Sequence, residues 1–130
     1  FFVEAKANEG ECFQECSASS ENSKNTIIRA FEKTQEWLGA TKNDWIYTKC
    51  DQLANRLAFL YFCNQCGIKA RMVYIGFVNG YRRKKDEVRS DKRWMEIWEK
   101  ELDTLGLDLK KIESYISFIH PICENREEKE

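Results

Sequence analysis

The chain has 130 residues, 42% hydrophobic and 33% charged, a length and balance suited to one domain able to bury a core. Its 21 basic and 22 acidic residues give a formal charge of −1, which excludes a global field drawing in nucleic acid or anionic lipid. The longest apolar stretches, Leu57 to Cys63 and Met72 to Val78, fall well short of the about 18 residues a bilayer span requires, so no membrane association is expected.

The chain opens on Phe1, inside an alternating segment. Phe1, Val3, Ala5 and Ala7 fall on one side and Phe2, Glu4 and Lys6 on the other, the period of two that predicts a strand. A strand at a raw terminus normally has a partner, so upstream elements are expected in a longer polypeptide or another chain. The opening residues do not have the pattern of a basic-then-apolar leader, and the six cysteines are expected to be reduced thiols in the cytoplasm.

Asn8 to Ser23 is turn-rich and predicts a loop leading into a helix capped near Ser20 or Ser23. Ile27, Phe31 and Leu38 keep helical spacing in it, and Gly39 supplies the stop. Asp44 is expected to cap a second helix running to about Cys66, with Gly67 as its stop. The second half of that helix, from Leu57, is apolar nearly all round; its first half carries Gln52, Asn55 and Arg56 on one polar face. Ala70 to Val78 predicts a strand covered on both sides, at the centre of a sheet. A polar loop follows, then an amphipathic helix through Trp94, Ile97, Trp98, Leu102 and Leu105 that stops at Gly106. Tyr115 to Ile119 predicts a last strand, ended by Pro121. The order strand, helix, helix, strand, helix, strand predicts an α/β fold, a small mixed sheet flanked by helices. Residues 1–123 are expected to form a single domain and 124–130 a charged tail that frays.

The chemistry-bearing motif is Glu4-Ala5-Lys6. Two residues apart on one strand, a carboxylate and an ammonium lie about 6.6 Å apart at their Cα atoms and point the same way. A metal-dependent phosphodiesterase needs this arrangement, the carboxylate holding a divalent cation and the lysine stabilising charge on the attacked phosphate. The spacing alone is weakly specific, since Glu127-Glu128-Lys129 repeats it in the tail.

Other motifs accompany it. Val3-Glu4-Ala5-Lys6-Ala7 with Gly10-Glu11, the serines of Ser17 to Ser20, Trp37-Leu38-Gly39 and Trp45 ahead of Gln52-x-x-Asn55-Arg56-Leu57 occur in that order, followed by Gly67 to Val73 and the Trp94 to Leu107 helix. From Phe1 to about Phe118 the chain resembles the later part of PD-(D/E)XK nuclease-like domains of bacterial proteins, the Gln-x-x-Asn-Arg helix and the strand after it being the most specific parts. The resemblance implies a restriction-endonuclease-like fold lacking its first elements, with Glu4 a ligand of Mg²⁺ or Mn²⁺, Lys6 the charge stabiliser and Gln52 a supporting polar group. It also implies an aspartate on a preceding strand, which this chain does not supply, so the metal is expected only at a complete site. Gln52 could equally be a helix-surface amide and Asn55 a structural hydrogen-bonder. The alternative is a degenerate module of the same fold that binds nucleic acid or protein without catalysis, Glu4 and Lys6 only pairing with each other.

The loop Tyr81 to Arg93 carries seven basic residues against three acidic ones. Arg82, Arg83, Lys84 and Lys85, with Arg56, are the candidates for contact with a nucleic-acid backbone. Cys12-x-x-x-Cys16 and Cys63-x-x-Cys66 have tolerable zinc spacing, but a cysteine in an apolar helix packs as a small hydrophobe. His120, the only histidine, lies beside Pro121, a poor place for nucleophile chemistry.

Overall fold

The computed structural model describes residues 1–80 and 84–124, with the side chain of Lys84 left aside. Strand β1 (Phe2–Lys6) is followed by helices α1 (Glu21–Leu38) and α2 (Asp51–Gln65), strand β2 (Met72–Gly76), helices α3 (Asp91–Leu105) and α4 (Leu109–Ile112), and strand β3 (Ile116–Ile119). The fold is α/β. Among the described residues, no helix is long and apolar enough to cross a membrane.

Local chemistry explains the ends of the long helices. Ser20 caps α1 by accepting from the Ser23 N–H at 3.1 Å, and Ser90 caps α3 by accepting from the Arg93 N–H at 3.1 Å. Gly39 and Gly106 close the same helices in left-handed conformation. The expected start of α2 needs correction: Asp44 precedes only a 3₁₀ turn, Trp45–Tyr47, makes no capping bond, and α2 begins at Asp51. Burial of the Trp45 ring, whose indole N–H donates to the Leu105 carbonyl at 2.8 Å, holds this turn apart from the helix that the periodicity would have extended.

The sheet has the order β1-β2-β3 and is parallel at both pairings, with Glu4 beside Tyr74, Lys6 beside Gly76, and Tyr74 beside Phe118. The mixed sheet expected from the sequence is therefore corrected to a parallel one among the described residues. The reason is in the connections, since α1 with α2 and α3 with α4 each return the chain to the same end, as helical crossovers do. β2 is central as expected, but only one of its faces is buried. Met72 and Tyr74 join Phe31, Trp45, Leu57, Leu60, Trp98 and Leu105 in the main core, whereas Val73 and Ile75 are half-buried and Val3 is 59% exposed.

A smaller core of Cys12, Val78, Val88, Trp94 and Ile97 closes one end. It depends on Gly76, because a Cβ there would stand 2.5 Å from the Trp94 ring.

Candidate active site

Alternation along β1 sends Glu4 and Lys6 to the side covered by helices, and the first turns of α2 meet them there. Lys6 is 4% exposed. Its ammonium donates to Glu4 Oε1 at 2.9 Å and to the Gln52 carboxamide oxygen. Glu4 Oε2 accepts from Arg56 Nε at 2.6 Å. Gln52 and Arg56 reach β1 together because residues four apart share a helix face.

The orientation of Gln52 is fixed from both ends. While its oxygen faces Lys6, its Nε2 donates to Gln14 Oε1 at 2.9 Å. Gln14 is itself fastened to the start of α2, where its carbonyl accepts from the Asp51 N–H at 3.2 Å. Charge follows geometry. Burial opposes ionisation of Glu4, but the hydrogen bonds and charges of Arg56 and Lys6 outweigh it and hold the carboxyl below its usual range.

Behind this layer lies a buried group that the sequence reading missed. Glu101, 1% exposed, accepts from the Tyr74 hydroxyl at 3.1 and 3.3 Å, and the Cys12 sulfur stands 3.7 Å from the same hydroxyl. Burial lifts the Glu101 carboxyl to about 7, against the pull of the Tyr74 hydrogen bond and the Lys6 charge. Burial, reinforced by Glu101, also raises the Cys12 thiol, and raises the Cys50 thiol to about 12, so both remain protonated. A signal was present: Trp94, Ile97, Trp98, Glu101 and Leu105 share one helix face, which places a carboxylate at a core position.

The structure thus brings together four predicted residues, Glu4, Lys6, Gln52 and Arg56. Asn55 turns away from them and donates to Asp51 Oδ2 at 3.0 Å. Lys85 is exposed, and Arg82, Arg83 and the Lys84 side chain lie outside the described residues. Cys12 packs beneath the site while Cys63 and Cys66 close the far end of α2. His120 stacks on Trp98, ring centroids 4.2 Å apart.

For a divalent cation the donor set is partial. Glu4 is the right kind of ligand, but both its oxygens face cationic nitrogens. No group of three or more His, Cys, Asp or Glu side chains able to hold a metal ion occurs among the described residues. Mg²⁺ takes six oxygen ligands, and these residues by themselves do not fit it or Mn²⁺. Comparison with family models, with curated proteins and with solved structures gives no match.

Proposed function

We propose that this chain carries the Glu-x-Lys half of a nuclease-like phosphodiesterase site on a restriction-endonuclease-like PD-(D/E)XK fold, with a nucleic-acid backbone as substrate. One observation carries the reading: a lysine ammonium, buried to 4% exposure, is aimed by a carboxylate on its own strand and by the Gln52 amide from the facing helix. An ammonium fixed in this way stabilises negative charge developing on a phosphoryl oxygen without reorganising at the moment of reaction. Gln52 positions Lys6, and Gln14 positions Gln52. Arg56, whose side chain is 46% exposed, sits at the rim, where its guanidinium can exchange Glu4 for a phosphate.

Mg²⁺ or Mn²⁺ belongs to a complete site, where it would neutralise phosphate charge with Glu4 as one of its ligands. The further carboxylate must come from outside the described residues. The outer edge of β1, where no described strand pairs, offers a place for it, because a strand paired there runs beside Glu4.

A second reading rests on a separate observation. With Glu4 closed off by Lys6 and Arg56, the site is also a self-satisfied ion network, as expected of a degenerate module that binds without cleaving.

Cleavage of labelled single- and double-stranded DNA and RNA with Mg²⁺ or Mn²⁺ separates the two. The 130-residue chain is expected to be inert, and a polypeptide with an aspartate-bearing strand added ahead of Phe1 to cut, an activity that Lys6→Ala abolishes. Efficient cutting by the 130-residue chain that survives Lys6→Ala would overturn the nuclease reading. An extended polypeptide that binds in a salt-dependent way but never cuts would establish the binding module instead.

A further inference from the structure

Gln14, which holds Gln52 at the candidate site, also leads into a cavity. The segment after it, residues 15–18, walls a groove of about 440 Å³ together with the first half of α1 and the turn that carries Ile46 and Tyr47. On α1 the lining residues are Glu21, Lys24, Asn25 and Ile28, spaced three and four apart and so on one helix face. Gln14 pairs with Cys50 as an isolated bridge, so the chain is extended there. At the rise of an extended chain, Cys16 in the groove wall follows Gln14 by about 7 Å, which puts groove and site next to each other.

The lining combines apolar surface with polar groups that nothing in the fold uses. Ile28 and Ile46 are half-buried, and the Tyr47 ring, 82% exposed, stands at the mouth. Its turn is held firmly, because the Trp45 ring is fully buried and the Thr48 hydroxyl donates to the Trp45 carbonyl at 2.7 Å. The carboxylates of Glu15 and Glu21, the Lys24 ammonium and the Asn25 carboxamide have no hydrogen-bond or ion-pair partner among the described residues. A cavity of this size, with an apolar part and a few convergent polar groups, has the make-up of a small-molecule subsite.

We infer that the groove is a nucleoside subsite selective for RNA, taking the nucleoside next to a phosphate held at Lys6 and Arg56; the inference rests on the nucleic-acid reading of that site. Ionised carboxylates accept hydrogen bonds and donate none. Glu15 and Glu21 therefore suit ribose hydroxyls, which donate, and repel phosphate oxygens, which only accept. This polarity keeps the backbone phosphate out of the groove and beside the cations at Glu4. The 2′-hydroxyl is the donor that deoxyribose lacks, so DNA leaves a carboxylate in the groove without its partner. Tyr47 supplies a ring on which a base stacks, and since every base has such a face the groove reads the sugar rather than the sequence. Lys24 offsets part of the acidic charge, and Asn25 presents both a donor and an acceptor to a base edge.

The test is NMR titration of the isotope-labelled chain with adenosine, with an adenosine ribotrinucleotide and with its DNA counterpart. Amide shift changes are expected to centre on Asn25, Ile46 and Tyr47 with adenosine and with the RNA, a readout that depends on no variant folding. The RNA should bind at least ten-fold more tightly than the DNA. Glu15→Ala/Glu21→Ala, at two exposed positions, should bring that ratio close to one, whereas Tyr47→Ala should weaken RNA and DNA alike. The inference is overturned if adenosine leaves the groove unshifted, if RNA and DNA bind equally tightly, or if the double variant keeps the preference. Equal binding of RNA and DNA with shifts confined to Glu4, Lys6 and Arg56 would overturn the subsite and leave the nucleic-acid reading standing. Adenosine in the groove, with an RNA affinity that Arg56→Met leaves unchanged, would instead keep the nucleoside site and overturn the reading of the Glu4 site as one that takes the backbone.

Discussion

The Tyr74 hydroxyl of the central strand donates to both oxygens of Glu101 on α3, at 3.1 and 3.3 Å, in a part of the core where Glu101 is only 1% exposed. This is the one carboxylate the main helix–sheet interface encloses among the described residues, and it makes the stability of the fold sensitive to pH.

Glu101 titrates near 7 in the folded chain, against an ordinary value of 4.5, chiefly because burial disfavours its charge. Between those values the folded state holds a proton that the unfolded state has released, so the group's contribution to stability falls as pH rises through this window and levels off above it. The loss amounts to about 3 kcal/mol. Glu101→Gln keeps an acceptor for Tyr74 and removes the titration. Urea unfolding at pH 5 and pH 8 should therefore show the variant gaining on the wild type at the higher pH; an identical pH dependence in both would contradict the buried, protonated carboxyl.

The Glu4 network titrates with the opposite sign. Its carboxyl is held below the usual range, so the stability it contributes is present above that range and lost as pH falls through the folded value. Arg56→Met removes one partner at a partly exposed site, and the expected cost near neutral pH is on the order of 1 kcal/mol. That cost should shrink in acid, where Glu4 takes up a proton. A cost that stays constant down to acid pH would mean that Arg56 contributes packing rather than charge.

Gly76→Ala places a methyl carbon against the Trp94 ring, within 2.5 Å if nothing moves. Trp94 is fully buried and anchored by its indole N–H to the Phe77 carbonyl at 3.0 Å, so it has little room to yield. Overpacking of this kind costs about 1–3 kcal/mol. Thermal unfolding followed by near-ultraviolet circular dichroism should show a lower Tm together with a changed tryptophan signal; a variant as stable as the wild type would mean that the ring can tilt away.

Ser90→Ala leaves the Arg93 N–H at the start of α3 without its side-chain acceptor. About 1 kcal/mol of destabilisation is expected. Gly in the same place should cost only a few tenths of that unit, and equal losses for both substitutions would indicate a role for Ser90 other than capping.

The local decisions were legible in the sequence. Periods of 2 and 3.6 located three strands and three long helices, the Ser20–Ser23 segment with Gly39 and Gly106 marked three helix ends, and the spacing of Glu4 and Lys6 put them on one side of their strand. These properties depend on neighbours a few residues away, and a linear pattern contains them. Pairing direction, the break between Trp45 and Asp51, and which face of each strand is covered depend on contacts distant in the chain. The site divides in the same way. The residue types at Glu4, Lys6, Gln52 and Arg56 were visible as two separate patterns, but only the packing of α2 on β1 brings Gln52 to Lys6 and Arg56 to Glu4, and only the fold fixes Gln52 through Gln14. Glu101 shows the limit most clearly: its place on an apolar helix face was readable, but the protonation state of a carboxyl depends on the dielectric and the partners around it, and those exist only once α3 closes over Tyr74.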